Sequence, residues 1–171
     1  MKKKLIAFIL FFGCVSFANA QKFAMVDLEY ILKNVPAYET ANEQLNQISA
    51  KWQAEVKEKQ TEIQTLYKNY NTESVFLSDE MKKKRETEIV NAEKSLNELR
   101  SKYFGPQGEL NKKRESLIKP IQDEIYNAIK NISELKGYQL VLDRASGMDI
   151  IFASPKIDIS DDVLSEMGYS K

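Results

Sequence analysis

The chain has 171 residues, with 25 basic and 25 acidic side chains and no histidine. Its one cysteine, Cys14, lies in an N-terminal apolar run, so nothing downstream supports a disulfide, a thiol nucleophile or a Cys/His metal site. The charge balance gives no footing for nucleic acid as a natural partner.

The first residues are Met1-Lys2-Lys3-Lys4, then an apolar run from Leu5 to Phe17, then Ala18-Asn19-Ala20. A positive start, an apolar core and a small-x-small end make a secretory signal peptide over residues 1–20, with cleavage after Ala20. The run is too short to span a bilayer comfortably. Cys14 reads as part of it rather than as a lipidation site. Export to the periplasm is the expectation. Removal of Lys2, Lys3 and Lys4 leaves 22 basic and 25 acidic residues, a net charge of −3. That charge is uneven. Asp27 to Glu80 carries net −5, and Lys82 to Lys119 carries net +5. Facing helices of opposite sign would explain this, and so would a working electrostatic surface.

Residues 21–36 form a first body segment, a strand at Phe23–Val26 and a short helix at Leu28–Lys33. Residues 37–119 read as a helical hairpin. Ala41, Leu45, Ile48, Trp52, Val56, Ile63, Leu66 and Tyr70 recur at threes, fours and one seven, the seam of a coiled coil. Pro36 suits the first helical position, where its missing N–H costs nothing. The pattern breaks between Asn71 and Ser78, which places the hairpin tip there. Ser78 or Asp79 caps the return helix. Ile89, Ala92, Leu96, Leu99 and Tyr103 continue the seam, and Leu110, Leu117, Ile121, Ile125, Ala128, Ile132 and Leu135 carry it on.

Gly105-Pro106-Gln107-Gly108 interrupts this return helix. Proline removes a hydrogen bond and glycine loosens the backbone, so Gly105, Pro106 and Gly108 make either a static kink or a hinge. Pro120 predicts a second bend. Near the tip, Lys82, Lys83, Lys84 and Arg85 are either a solvated helix start or a contact for anionic lipid. Tyr67, Tyr70, Val75, Phe76, Leu77 and Met81 put an apolar load at the same end. They either close the tip locally or meet a partner.

Residues 120–171 complete the body with the end of the return helix, a strand at Tyr138–Leu142, a third at Ile150–Ala153 and a helix after Ser160, which reads as its N-cap. Gly168 ends that helix. Asp27, Glu29 and Asp143 at strand ends read as caps or surface charges rather than catalytic carboxylates. Asp158, Asp161 and Asp162 lack the ligand ladder of a calcium loop, and Gly105-x-x-Gly108 lacks the strand–loop–helix setting of a phosphate cradle. No catalytic group, cofactor or metal is expected. The fold class is α+β, a small β body with a long antiparallel coiled-coil hairpin. Three short strands, apolar on both faces, are too little to stand alone, so several chains should pool them.

The chain resembles the Skp/OmpH family of periplasmic chaperones. The resemblance rests on Phe23-Ala24-Met25-Val26-Asp27 with Ile31-Leu32, the long charged helices, and Phe104-Gly105-Pro106-Gln107-Gly108-Glu109-Leu110. It continues through Ile118-Lys119-Pro120-Ile121, Tyr138-Gln139-Leu140-Val141-Leu142-Asp143 and Lys156-Ile157-Asp158-Ile159-Ser160-Asp161-Asp162-Val163-Leu164. It implies a homotrimer whose strands form a central body and whose hairpins enclose unfolded outer-membrane proteins without ATP and without catalysis. By position, Phe23, Val26, Leu140, Leu142, Ile150 and Phe152 would build the shared body. Trp52, Tyr67, Tyr70, Phe76, Met81, Leu96 and Tyr103 would belong to the arms, with some meeting clients. The competing reading is a secreted coiled-coil scaffold of the cell envelope with no client. A spacer has little use for an apolar tip.

Overall fold

The computed structural model describes residues 22–147 and 150–169. The expected signal peptide, including Cys14, lies outside the described residues. The chain divides into two compact units, one from residues before Val35 together with those from Ile125 onward, the other Val35–Glu124.

The first unit is built on strand β1, Lys22–Val26, which pairs in parallel with β2, Tyr138–Asp143. Phe23 stands opposite Leu140, Ala24 opposite Val141 and Met25 opposite Leu142. Met25 also bridges to Asp158, and its carbonyl accepts the Ile159 N–H at 2.8 Å. Because Met25 is paired on both edges, β1 is central, and Ala24, Met25 and Val26 are buried. This explains a strand that is apolar on both faces.

Helix α1, Leu28–Lys33, follows β1 directly, capped by the Asp27 carboxylate on Tyr30 N–H. It packs on the short C-terminal helix α5, Ser160–Glu166. Ile31, Ile125, Ala128, Ile132, Ile159, Val163 and Leu164 complete this core. Each such side chain contributes roughly 1.5–3 kcal/mol when taken fully out of water, alanine less. Helix α5 ends as its glycine predicts. Gly168 has φ 84°, and Tyr169 N–H reaches the Leu164 carbonyl at 2.8 Å.

The second unit holds α2, Pro36–Glu73, a short 3₁₀ turn at Ser74–Phe76, α3, Asp79–Phe104, and the first part of α4, Glu109–Lys136. Helices α2 and α3 pack on each other. Their side chains meet antiparallel: Glu55 with Tyr103, Gln60 with Arg100, Tyr67 with Glu93, Tyr70 with Glu86. Ala41, Leu45, Ile63, Ile89 and Leu96 are buried. Pro36 occupies the first turn of α2, and Ser78 caps α3 through Met81 N–H at 3.4 Å.

Three expectations are corrected. Ile150–Ala153 forms no strand; Ile151 and Phe152 are exposed, Phe152 at 84%. The run pairs with neither edge of the sheet: the free edge of β1 is met by Asp158, and the outer edge of β2 carries no strand among the described residues. Ser160 does not cap α5 through its side chain. It is buried, its hydroxyl accepting from Asp27 N–H at 2.9 Å and donating to Asp158 Oδ1 at 2.6 Å. Leu135 leaves the apolar seam and is 85% exposed near the end of α4. Pro120 lies inside helix α4 and does not end it.

Candidate functional site

The helix pair positions most of the aromatic residues singled out in the sequence. Tyr103 is stacked on Trp52, ring centroids 4.6 Å apart and planes within 4°. Its hydroxyl donates to Glu55 at 2.6 Å. Tyr67 donates to Glu93 at 2.8 Å, and Tyr70 donates to Glu86. In each case the hydrogen bond to the carboxylate raises the phenol pKa above its ordinary value, with desolvation adding to the shift. The three phenols therefore stay neutral donors and act as rungs that set the register of α2 against α3. Their polar ends are satisfied, and their rings border the surface as apolar area (Tyr67 is exposed, Tyr70 and Tyr103 are half-buried).

Leu96 is packed away with Ile63 and Ile89. Its place is in the helix pair, and it offers little surface to a partner. Phe76 and Met81 lie at the turn between the helices, with Val75. Val75 is 77% exposed, Phe76 87% and Met81 53%. Three large apolar side chains are thus exposed where α2 gives way to α3, two in the 3₁₀ turn and one in the first turn of α3.

The basic run begins α3. Lys82 lies 3.9 Å from Asp79, and Arg85 pairs with Glu88 at 3.1 Å and Glu73 at 3.8 Å. No carboxylate within ion-pair distance accompanies Lys83 or Lys84 among the described residues. These exposed pairs contribute little stability.

The break at Gly105–Gly108 is closely packed. Gly108 N–H reaches the Gly105 carbonyl at 2.8 Å, and Asn111 Nδ2 donates to the Pro106 carbonyl at 3.1 Å. A Cβ on Gly105 would meet the Ser101 carbonyl oxygen at 2.4 Å. One on Gly108 would meet Gly105 N and the Tyr103 carbonyl oxygen, each at 2.8 Å. The glycines are there because the backbone approaches itself closely.

In the sheet unit Val26 is buried, and Leu142 and Ile150 are half-buried. Phe23 and Leu140, register partners on one face, are each 47% exposed. The outer edge of β2 carries no further strand among the described residues. Asp143 accepts from Leu28 N–H and Ala145 N–H, and Asp27 caps α1 and pairs with Arg144 at 2.8 Å. These carboxylates serve the backbone. The Tyr–Glu rungs and the Trp52–Tyr103 stack were not legible from spacing alone. Glu55 and Tyr103 stand 48 residues apart, and only the helix register brings them together.

Long paired helices that turn through exposed apolar side chains, together with a small open sheet, define a protein built for holding surfaces rather than for enclosing a reaction. Residues 22–167 match the family of OmpH-like outer membrane proteins, and the chain belongs to that family. It is 27% identical over 177 residues to the chaperone protein Skp of Yersinia enterocolitica, covering 98% of this chain and 99% of that one. It is 28% identical over 165 residues to an uncharacterised protein of Aquifex aeolicus (strain VF5), covering 96% of each. The solved structure of an OmpH-like protein from Caulobacter crescentus CB15 shares the fold, with a TM-score of 0.67 and 13% identity over 86% of this chain and 83% of that one. Membership places the chain in the periplasm as a non-catalytic chaperone of the holding type.

Proposed function

We propose that the chain encloses unfolded outer-membrane β-barrel proteins between the helical hairpins of three copies and so keeps them from aggregating. The observation that carries this reading is the exposed apolar turn of Val75, Phe76 and Met81, which a passive spacer does not need. The open edge of β2 and the exposed Phe23, Leu140 and Phe152 support pooling of sheets among copies. An open sheet edge with apolar neighbours is unstable against association unless covered. Phe23, Leu140 and Phe152 would be covered in the assembly, with Val26, Leu142 and Ile150 part of the same shared body.

Unfolded barrel chains alternate apolar side chains with unpaired backbone, and they aggregate edge to edge. Enclosure separates them. Weak contacts at many points, from Tyr67, Tyr70, Phe76 and Met81, allow release without ATP, because the folded barrel in its membrane lies lower in free energy. Lys83 and Lys84 add a weak attraction for anionic lipid near the turn, which salt would screen. The Gly105–Gly108 segment acts as a fixed elbow that redirects the chain into α4.

Light scattering from a diluted, urea-unfolded outer-membrane barrel protein tests the reading. Scattering should be suppressed by the chain without nucleotide. Unchanged scattering at a threefold excess of chain would favour the scaffold reading instead.

A further inference from the structure

The helical unit carries an open groove of about 520 Å³ bordered by Ile48, Lys51, Trp52, Glu109, Lys112 and Lys113. Ile48 and the Trp52 ring supply the apolar wall. That ring is held by its stack on Tyr103, which Glu55 anchors in turn. A wall already rigid loses little entropy when something lies on it.

The rim is cationic. Three ammonium groups stand against one carboxylate, and Glu109 is engaged by Lys112 at 3.2 Å. Lys51 and Lys113 have no ion-pair partner among the described residues. Two uncompensated positive charges thus flank apolar surface in a chain whose exported form is net acidic. Lysine is a flexible, hydrated point charge that accepts a carboxylate from many directions, unlike the fixed fork of arginine. That suits varied occupants held weakly.

We propose that this groove is a subsite for acidic–apolar stretches of unfolded polypeptide. An aromatic or aliphatic side chain lies on Trp52 and Ile48, and a neighbouring Asp or Glu is neutralised by Lys51 and Lys113. This rests on the client-holding reading above and assigns one part of the contact. The groove is open rather than enclosed, so an extended chain can lie across it, and its free ammonium groups beside apolar surface complement a carboxylate next to an apolar side chain, as polypeptide presents them.

Trp52 is the sole tryptophan, so its emission reports occupancy directly. The probe is a blocked pentapeptide of alternating Phe and Asp, titrated into the full exported chain, with Phe–Asn and Phe–Lys counterparts as controls. A saturable emission change should appear for the Asp peptide. It should weaken about tenfold in a Lys51→Ala/Lys113→Ala variant, as expected for two exposed charge contacts of up to about 1 kcal/mol each. A Lys51→Glu/Lys113→Glu variant should switch preference to the Phe–Lys peptide, a gain that misfolding cannot imitate. Equal response to all three peptides, no response, or response only to vesicles containing phosphatidylglycerol would overturn the proposal. Aggregation suppression measured on the same samples keeps the two readings apart. Suppression without a Trp52 response sinks the groove alone, whereas loss of suppression in the unaltered chain sinks the holding function.

Discussion

Arg144 shows how single charges hold the small unit together. Its guanidinium reaches Asp27 at 2.8 Å and Asp158 at 3.7 Å, and its N–H bonds the Val26 carbonyl at 2.8 Å. The hydrogen bond from Arg144 lowers the Asp27 pKa, aided by Tyr30 N–H and opposed by desolvation. A depressed carboxylate pKa contributes stability that is present above its unfolded value, ordinarily about 3.9, and is lost as pH falls through the lower folded value. Arg144→Ala should therefore destabilise the chain at pH 6, and the gap from the unaltered protein should close below about pH 4. Thermal melts across pH at one protein concentration would check this; a gap constant down to pH 2 would refute it. In the helical unit, Leu96→Ala should cost about 2–5 kcal/mol, read by urea denaturation, because its side chain is buried between helices. The buried set was legible because apolar spacing at threes and fours determines which side of a helix is covered. Ser160 was misread because a serine before acidic residues looks like a cap. Its partner, Asp27 N–H, lies 133 positions away, beyond any local pattern.

Among the elements, β1, α1, α2 and β2 could be seen in the sequence, each bounded by a proline, a glycine or a capping acid. The Ile150–Ala153 run could not be placed that way. It has strand composition, but strand formation depends on pairing with an edge, and composition does not say whether the run is placed against one. The Gly105–Gly108 segment shows a second limit. Glycine pairs suggest looseness, yet here they permit contacts no Cβ would allow. Gly108→Ala should lower stability by about 1–3 kcal/mol through forced backbone displacement. A melt unchanged from the parent would show that the break relaxes freely and would favour the hinge reading over the kink.

For the whole molecule, we propose that the helical unit contacts clients and that the sheet unit is completed by further copies. Shortening the hairpin inside the Gln60–Arg100 rung, by deleting matched stretches within residues 61–99, should spare assembly and abolish aggregation suppression. The family class was legible in the sequence because a series of weak motifs occurs in one order along nearly the whole exported chain. The number of copies was not, because subunit count depends on surfaces such as Phe23 and Leu140 meeting their counterparts at particular angles. Native mass spectrometry of the chain mixed with an unfolded outer-membrane barrel tests the central claim most directly. The account predicts three copies with one client in a single species, and three copies alone without it. A one-to-one complex of monomer and client, or a three-copy assembly that takes up no client from the mixture, would contradict it.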